Sequence, residues 1–119
     1  MKLREFAHAR AGDKGNTLSV GVICYDERDF STLARELTVE RVRAAYAPLV
    51  QGAIRRYELP LIGALNFVLE DALAGGVTTS LSTDPHGKSL SSLMLDIDLP
   101  EQDVLHGRRG PAQDIPDSG

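Results

Sequence analysis

The 119-residue chain contains no tryptophan, one cysteine, and only three phenylalanines and three tyrosines. A core built from it is therefore aliphatic. With Cys24 alone, there is no internal disulfide and no cysteine-based zinc site. Cys24 falls inside an apolar run, which reads as a buried, inert thiol. Basic charge is also scarce: 13 Lys and Arg stand against 17 Asp and Glu, a net charge of −4, and the positive residues are scattered. That excludes a nucleic-acid partner, because phosphate binding needs a concentration of cations. No apolar stretch approaches the roughly 18 residues of a membrane span, and none at the N-terminus has signal-peptide length. The expectation is a reducing, cytoplasmic setting with no membrane contact. The three histidines, His8, His86 and His106, have no ligand spacing, so neither a metal nor a cofactor is expected. Neither a Ser/His/Asp triad nor a Cys/His pair can be argued from spacing.

What remains is ordinary globular composition, 42% apolar and 25% charged, in a chain long enough for one domain. Residues 2–9 read as a strand of mixed polarity, followed by a polar turn bracketed by Gly12 and Gly15. Residues 17–25 form the clearest strand, with Leu18, Val20, Val22 and Cys24 on one face. The short connection predicts an antiparallel hairpin. Gly21, inside this strand, marks a bulge or a close backbone approach. Phe30, Leu33, Ala34 and Leu37 follow helical spacing behind the capping residues Asp26 to Asp29. Thr38 caps a second helix, whose buried stripe is Val39, Val42 and Tyr46 and which Pro48 ends.

Residues 53–59 suit a third strand broken by Pro60. Leu61 to Leu73 is apolar nearly all round and reads as a helix packed on more than one face, stopped by Gly75 and Gly76. Asn66 and Glu70 would lie one turn apart on it, Asn66 either reaching into a pocket or joining an exposed stripe with Glu70. Residues 77–83 suit a fourth strand, and Asp84-Pro85-His86-Gly87 is a turn. Over 89–99 strand and helix patterns compete; a helical turn followed by a strand is expected. From Pro100 the composition turns to Gly, Pro, Asp and Arg, giving a single domain over 1–99 and a flexible tail over 100–119. The whole predicts an α+β two-layer sandwich of about four strands with an N-terminal hairpin and helices on one face. The other face is left open or covered by a partner.

The segment His8 to Thr17 concentrates the chemistry. His8 can move protons near neutral pH, and Asp13 can orient a base or act as one. Arg10 and Lys14 can hold a carboxylate or phosphate. Gly12 and Gly15 let backbone N–H groups approach an anion, and Asn16 adds an amide. The spacing is neither a phosphate-binding Gly-rich loop ending in Gly-Lys-Ser/Thr nor a dinucleotide fingerprint. A structural hairpin turn, with Asp13 accepting backbone hydrogen bonds and the glycines supplying positive φ, explains the same residues. Both readings stand at this level.

Four blocks carry a resemblance. They are His8-Ala9-Arg10-Ala11-Gly12-Asp13-Lys14-Gly15-Asn16-Thr17, then Leu37-Thr38-Val39-Glu40-Arg41-Val42, then Arg56-Tyr57-Glu58-Leu59-Pro60 with Ala64-Leu65-Asn66-Phe67-Val68-Leu69, and Ala72-Leu73-Ala74-Gly75-Gly76-Val77-Thr78 with Ser80-Leu81. Over residues 2–97 the sequence resembles the C-terminal domain of the acyclic-terpene-utilisation A family. The resemblance implies a ferredoxin-like fold and a setting in catabolism of acyl-CoA or terpenoid acids. It also implies a separate large subunit equivalent to the family's N-terminal domain. Two functions follow as expectations. One is a small accessory or binding subunit, homo-oligomeric, that takes an acyl-CoA or organic acid through Arg10, Lys14, Gly12, Gly15, Asn16 and Asn66. The other is a small enzyme with His8 and Asp13 as its catalytic acid–base pair.

Overall fold

The structure, a computed structural model, describes residues 1–47, 49–72 and 90–109. Four strands, β1 (Ala7–Lys14), β2 (Thr17–Cys24), β3 (Ile54–Leu59) and β4 (Ala64–Leu69), form one antiparallel sheet in the order β1-β2-β4-β3. The described helices are α1 (Phe30–Glu36), α2 (Val39–Tyr46) and α3 (Leu90–Leu95), and short 3-10 turns precede β1 (Leu3–Glu5), precede α1 (Glu27–Asp29) and link β3 to β4 (Pro60–Ile62). The helices cover one sheet face. Leu18, Val20 and Val22 of β2 and Leu65, Phe67 and Leu69 of β4 meet Leu33, Leu37, Val42, Tyr46 and Met94 in a single buried cluster. Each such side chain contributes about 1.5–3 kcal/mol by leaving water. The α+β sandwich with helices on one face is the architecture expected.

Local chemistry sets the helix starts. The Thr38 hydroxyl accepts the N–H of Arg41 at 3.2 Å, capping α2 as its sequence predicts. Asp26 accepts the N–H of Arg28 at 2.9 Å and caps the 3-10 turn before α1. At the other end of α1, the Arg56 guanidinium donates to the carbonyls of Ala34 and Leu37, satisfying oxygens that the helix leaves over.

Several expectations are corrected. The first strand runs over Ala7–Lys14 rather than 2–9, because Leu3–Glu5 is a 3-10 turn whose Leu3 is buried in the core. Gly12, Asp13 and Lys14 are thus strand residues, paired with Ser19, Leu18 and Thr17. The turn is only Gly15-Asn16. Gly15 supplies φ of +62°, the requirement of a two-residue hairpin turn with glycine first. Gly21 is in register with Arg10 and Asn66 and makes no bulge.

The largest correction concerns Leu61 to Leu73. Gly63, in the left-handed region at φ +65°, separates the 3-10 turn from β4, and β4 is a central strand rather than part of a helix. Its buried residues Leu65, Phe67 and Leu69 alternate with Asn66 and Val68. An interior strand carries apolar groups on both faces, and so mimics an all-round apolar helix. The helix–strand ambiguity over 89–99 resolves as α3 followed by a single antiparallel bridge between Asp98 and Lys2. The expectations for Pro48, Gly75, Gly76, the strand at 77–83, the turn at 84–87 and His86 lie outside the described residues.

Residues 101–109, read as the start of a tail, run back over the domain. His106 and Gly107 each donate a backbone N–H to Asp29 at 2.8 Å, and Asp29 is 1% exposed. Arg108 pairs with Glu5 at 2.8 Å, and the Arg109 N–H donates to the Glu5 carbonyl at 2.6 Å.

Candidate functional site

The sheet face away from the helices carries the groups the sequence singled out. Side chains alternate along a strand. Counting from buried Ala7, the outer face receives His8, Arg10, Gly12 and Lys14 of β1. Opposite them in β2 stand Ile23, Gly21, Ser19 and Thr17, and β4 adds Asn66 beside Gly21 and Val68 beside Ser19. A broad hollow of about 670 Å³ lies over this surface, and its lining includes Arg10, Lys14, Ser19, Gly21, Ile23, Asn66 and Val68. Gly21 is its floor: with no side chain there, the row Arg10–Gly21–Asn66 leaves a gap between a cation and an amide.

The polar groups are arranged. The Ser19 hydroxyl donates to Asn66 Oδ1 at 3.4 Å, which leaves the Asn66 amide nitrogen as the donor available to a ligand. Among the described residues, neither Arg10 nor Lys14 has an ion-pair partner, whereas Arg4, Arg28, Arg35, Arg55, Arg56 and Arg108 each pair with a carboxylate. Ile23 and Val68 supply apolar wall. The hollow therefore offers two exposed cations, an amide donor and an aliphatic surface within one patch.

Not every expected residue belongs to it. Alternation assigns His8 to the outer face and Asp13, five residues on, to the helix-bearing face, although Asp13 borders the hollow from the edge strand. An acid–base pair needs both groups within hydrogen-bond reach of one substrate, and strand alternation turns these two side chains toward opposite faces. His8 instead stacks on Tyr25, ring centroids 5.3 Å apart, and Arg109 lies 3.7 Å over the Tyr25 ring. Gly15 and Asn16 make the hairpin turn outside the hollow, where the Asn16 carbonyl accepts the Ala72 N–H at 2.9 Å. Gly12 lines the hollow, with nothing within 4 Å of where a Cβ would stand. Asn66 does reach the site, but from a strand.

A comparison with protein-family models matches residues 1–100 to the AtuA ferredoxin-like domain. The chain belongs to that family. Searches among curated proteins and among solved structures found no match. In this AtuA ferredoxin-like domain, sequence reasoning missed Ser19, Tyr25 and Arg109. Ser19 was legible as one of the small outward residues alternating with Leu18 and Val20; Arg109 was not, because nothing local ties it to Tyr25.

Electrostatics elsewhere follow from packing. Burial, aided by the nearby Asp29 and Asp26 carboxylates, pushes the Cys24 thiol up to about 12. Hydrogen bonds from the Arg28 guanidinium and backbone N–H pull Asp26 down to about 2. Burial raises the Glu5 carboxyl, but the Lys2 N–H and the Arg108 guanidinium outweigh it, and the net is a lowered value. Among the described residues no group of three His, Cys, Asp or Glu side chains could hold a metal ion, and no helix is long and apolar enough to cross a membrane.

Proposed function

We propose that this domain is a binding subunit that seats an anionic, partly aliphatic acid, free or as its CoA thioester, on the outer face of its sheet. The observation that carries this reading is the pair Arg10 and Lys14, unpaired cations flanking a hollow with a glycine floor. Arg10 would hold a carboxylate or phosphate through two parallel hydrogen bonds, Lys14 would act as a point charge, and Asn66 would donate its amide. Ile23 and Val68 would receive the hydrocarbon part. Catabolism of acyl-CoA or terpenoid acids, beside a separate large subunit, is the setting that family membership suggests. Chemistry would then fall to the partner, a reading supported by the strand alternation that turns His8 and Asp13 toward opposite faces.

Thermal unfolding with acyl-CoAs, free CoA and branched-chain acids tests this. A ligand that binds only the folded chain stabilises it by about 2.7 kcal/mol at a hundredfold excess over Kd. We expect such a shift with the acids or thioesters, and its loss in Arg10→Ala and Lys14→Ala. No shift with any of them, or a shift that both variants retain, would end this reading.

A further inference from the structure

β3 is an edge strand, and among the described residues it has no outer neighbour. The Glu70 N–H donates to the Ala53 carbonyl at 2.9 Å, and the Glu70 carbonyl accepts the Gly52 N–H at 3.0 Å, so the Ala53 carbonyl faces β4. Continuing that register, Arg55, Tyr57 and Leu59 turn their peptide groups toward β4, while those of Ile54, Arg56 and Glu58 face outward. Such a row templates another strand unless charge, proline or a bulge blunts it. β1, the other edge, carries His8, Arg10, Asp13 and Lys14. β3 has neither proline nor lysine, its charges Arg55, Arg56 and Glu58 are of both signs, and it leads into the apolar run Leu59, Leu61 and Ile62, 43%, 93% and 60% exposed. With Tyr57, these are four of the six exposed large hydrophobics among the described residues.

We propose that β3 pairs antiparallel with β3 of a second copy about a two-fold axis at Tyr57, making a continuous eight-stranded sheet. Charge selects both the occupant and the register. Centred on Tyr57, each Arg56 lies directly opposite a Glu58 of the other copy, and the outward peptide groups of these residues are the ones that bond. Centred on Arg55 or Arg56, like-charged guanidiniums would face each other; centred on Glu58, two carboxylates would. Opposite charges across strands stabilise and like charges destabilise. Arg56 is already fixed, donating to the Leu37 carbonyl at 3.3 Å and to its own Glu58 at 2.9 Å, so a second carboxylate meets a pre-positioned guanidinium. Tyr57 would meet Tyr57 of the other copy on the outer face, and Leu59 would lie beside the Arg55 stem. Both ligand hollows would then open on the same side of one sheet, although the pairing does not depend on either being filled.

Two measurements test this on the full chain. Sedimentation velocity should show twice the chain mass at tens of micromolar, and Glu58→Arg should raise the dissociation constant ~10-fold, since two attractive pairs become repulsive. Circular dichroism verifies that the variant folds, and Glu58→Gln should give a smaller shift. In the second measurement, Tyr57→Cys should form an intermolecular disulfide under mild oxidation. Arg55→Cys should not, because its copies would lie farther apart than the ~7 Å limit on Cα separation. A wild-type monomer throughout, an unaffected Glu58→Arg dimer, or cross-linking through Arg55→Cys in place of Tyr57→Cys would each overturn the proposal.

Discussion

The backbone N–H of His106 donates to Oδ1 of Asp29 at 2.8 Å, across 77 residues of sequence. The Gly107 N–H takes the other carboxylate oxygen, so a nearly fully buried acid is satisfied entirely by the returning chain. Asp29→Ala should therefore leave two amide donors without their acceptor and cost about 1–3 kcal/mol. Denaturant unfolding reads this directly; a variant within 0.5 kcal/mol of wild type, roughly the scatter of surface changes, would show that the two hydrogen bonds to Asp29 add no stability.

Two carboxylates make stability depend on acid. Glu5 and Asp26 both have folded-state values below their ordinary ones. A lowered carboxyl stabilises the fold above its unfolded-state value and loses that contribution as pH falls through the folded one. Melting temperature should thus hold down to about pH 4.5, the ordinary Glu5 value, and fall from there toward about pH 2, where Asp26 titrates. A melting temperature flat from pH 5 to pH 2 would contradict the assignment.

Cys24 should be silent. Its thiol is 6% exposed and pushed up to about 12, so almost no thiolate exists near neutrality. An aromatic disulfide reagent at pH 8 should find no reactive thiol in the folded protein and one after denaturation. Prompt labelling of the native chain would mean that this end of β2 opens readily.

Gly21 offers a test that separates the hollow from the fold. A Cβ there would come 3.5 Å from Asn66 Oδ1, an ordinary contact, with no positive φ to strain. Gly21→Val should keep stability within about 1 kcal/mol, since β-branched residues suit strands. It should nevertheless abolish ligand-induced stabilisation by filling the floor between Arg10 and Asn66. Retained ligand binding in a folded Gly21→Val protein would place the ligand elsewhere.

The parts legible in the sequence were those written in local chemistry. Alternation of Leu18, Val20, Val22 and Cys24 against small polar neighbours marked β2, and Thr38 announced α2. β4 was illegible because an interior strand has no strong polar face to reveal its period, and a Leu/Val/Phe run fits either element. The cations Arg10 and Lys14 were found, but their company was not. The shift of β1 toward Lys14 decides by parity which residues share a face, and a shift of five residues along the chain moved Asp13 from a loop onto the far side of the sheet. The docking of residues 101–109 rests on Asp29, Glu5 and Tyr25, partners that only the folded chain brings near.

Arg56 belongs to β3 by its backbone and to α1 by its side chain, since its guanidinium closes the carbonyls of Ala34 and Leu37. The edge strand cannot peel from the sheet without uncapping that helix. Peeling of β3 thus also loosens the end of α1, whereas α1 can fray with β3 in place, so amide protection at the end of α1 should not exceed that of β3.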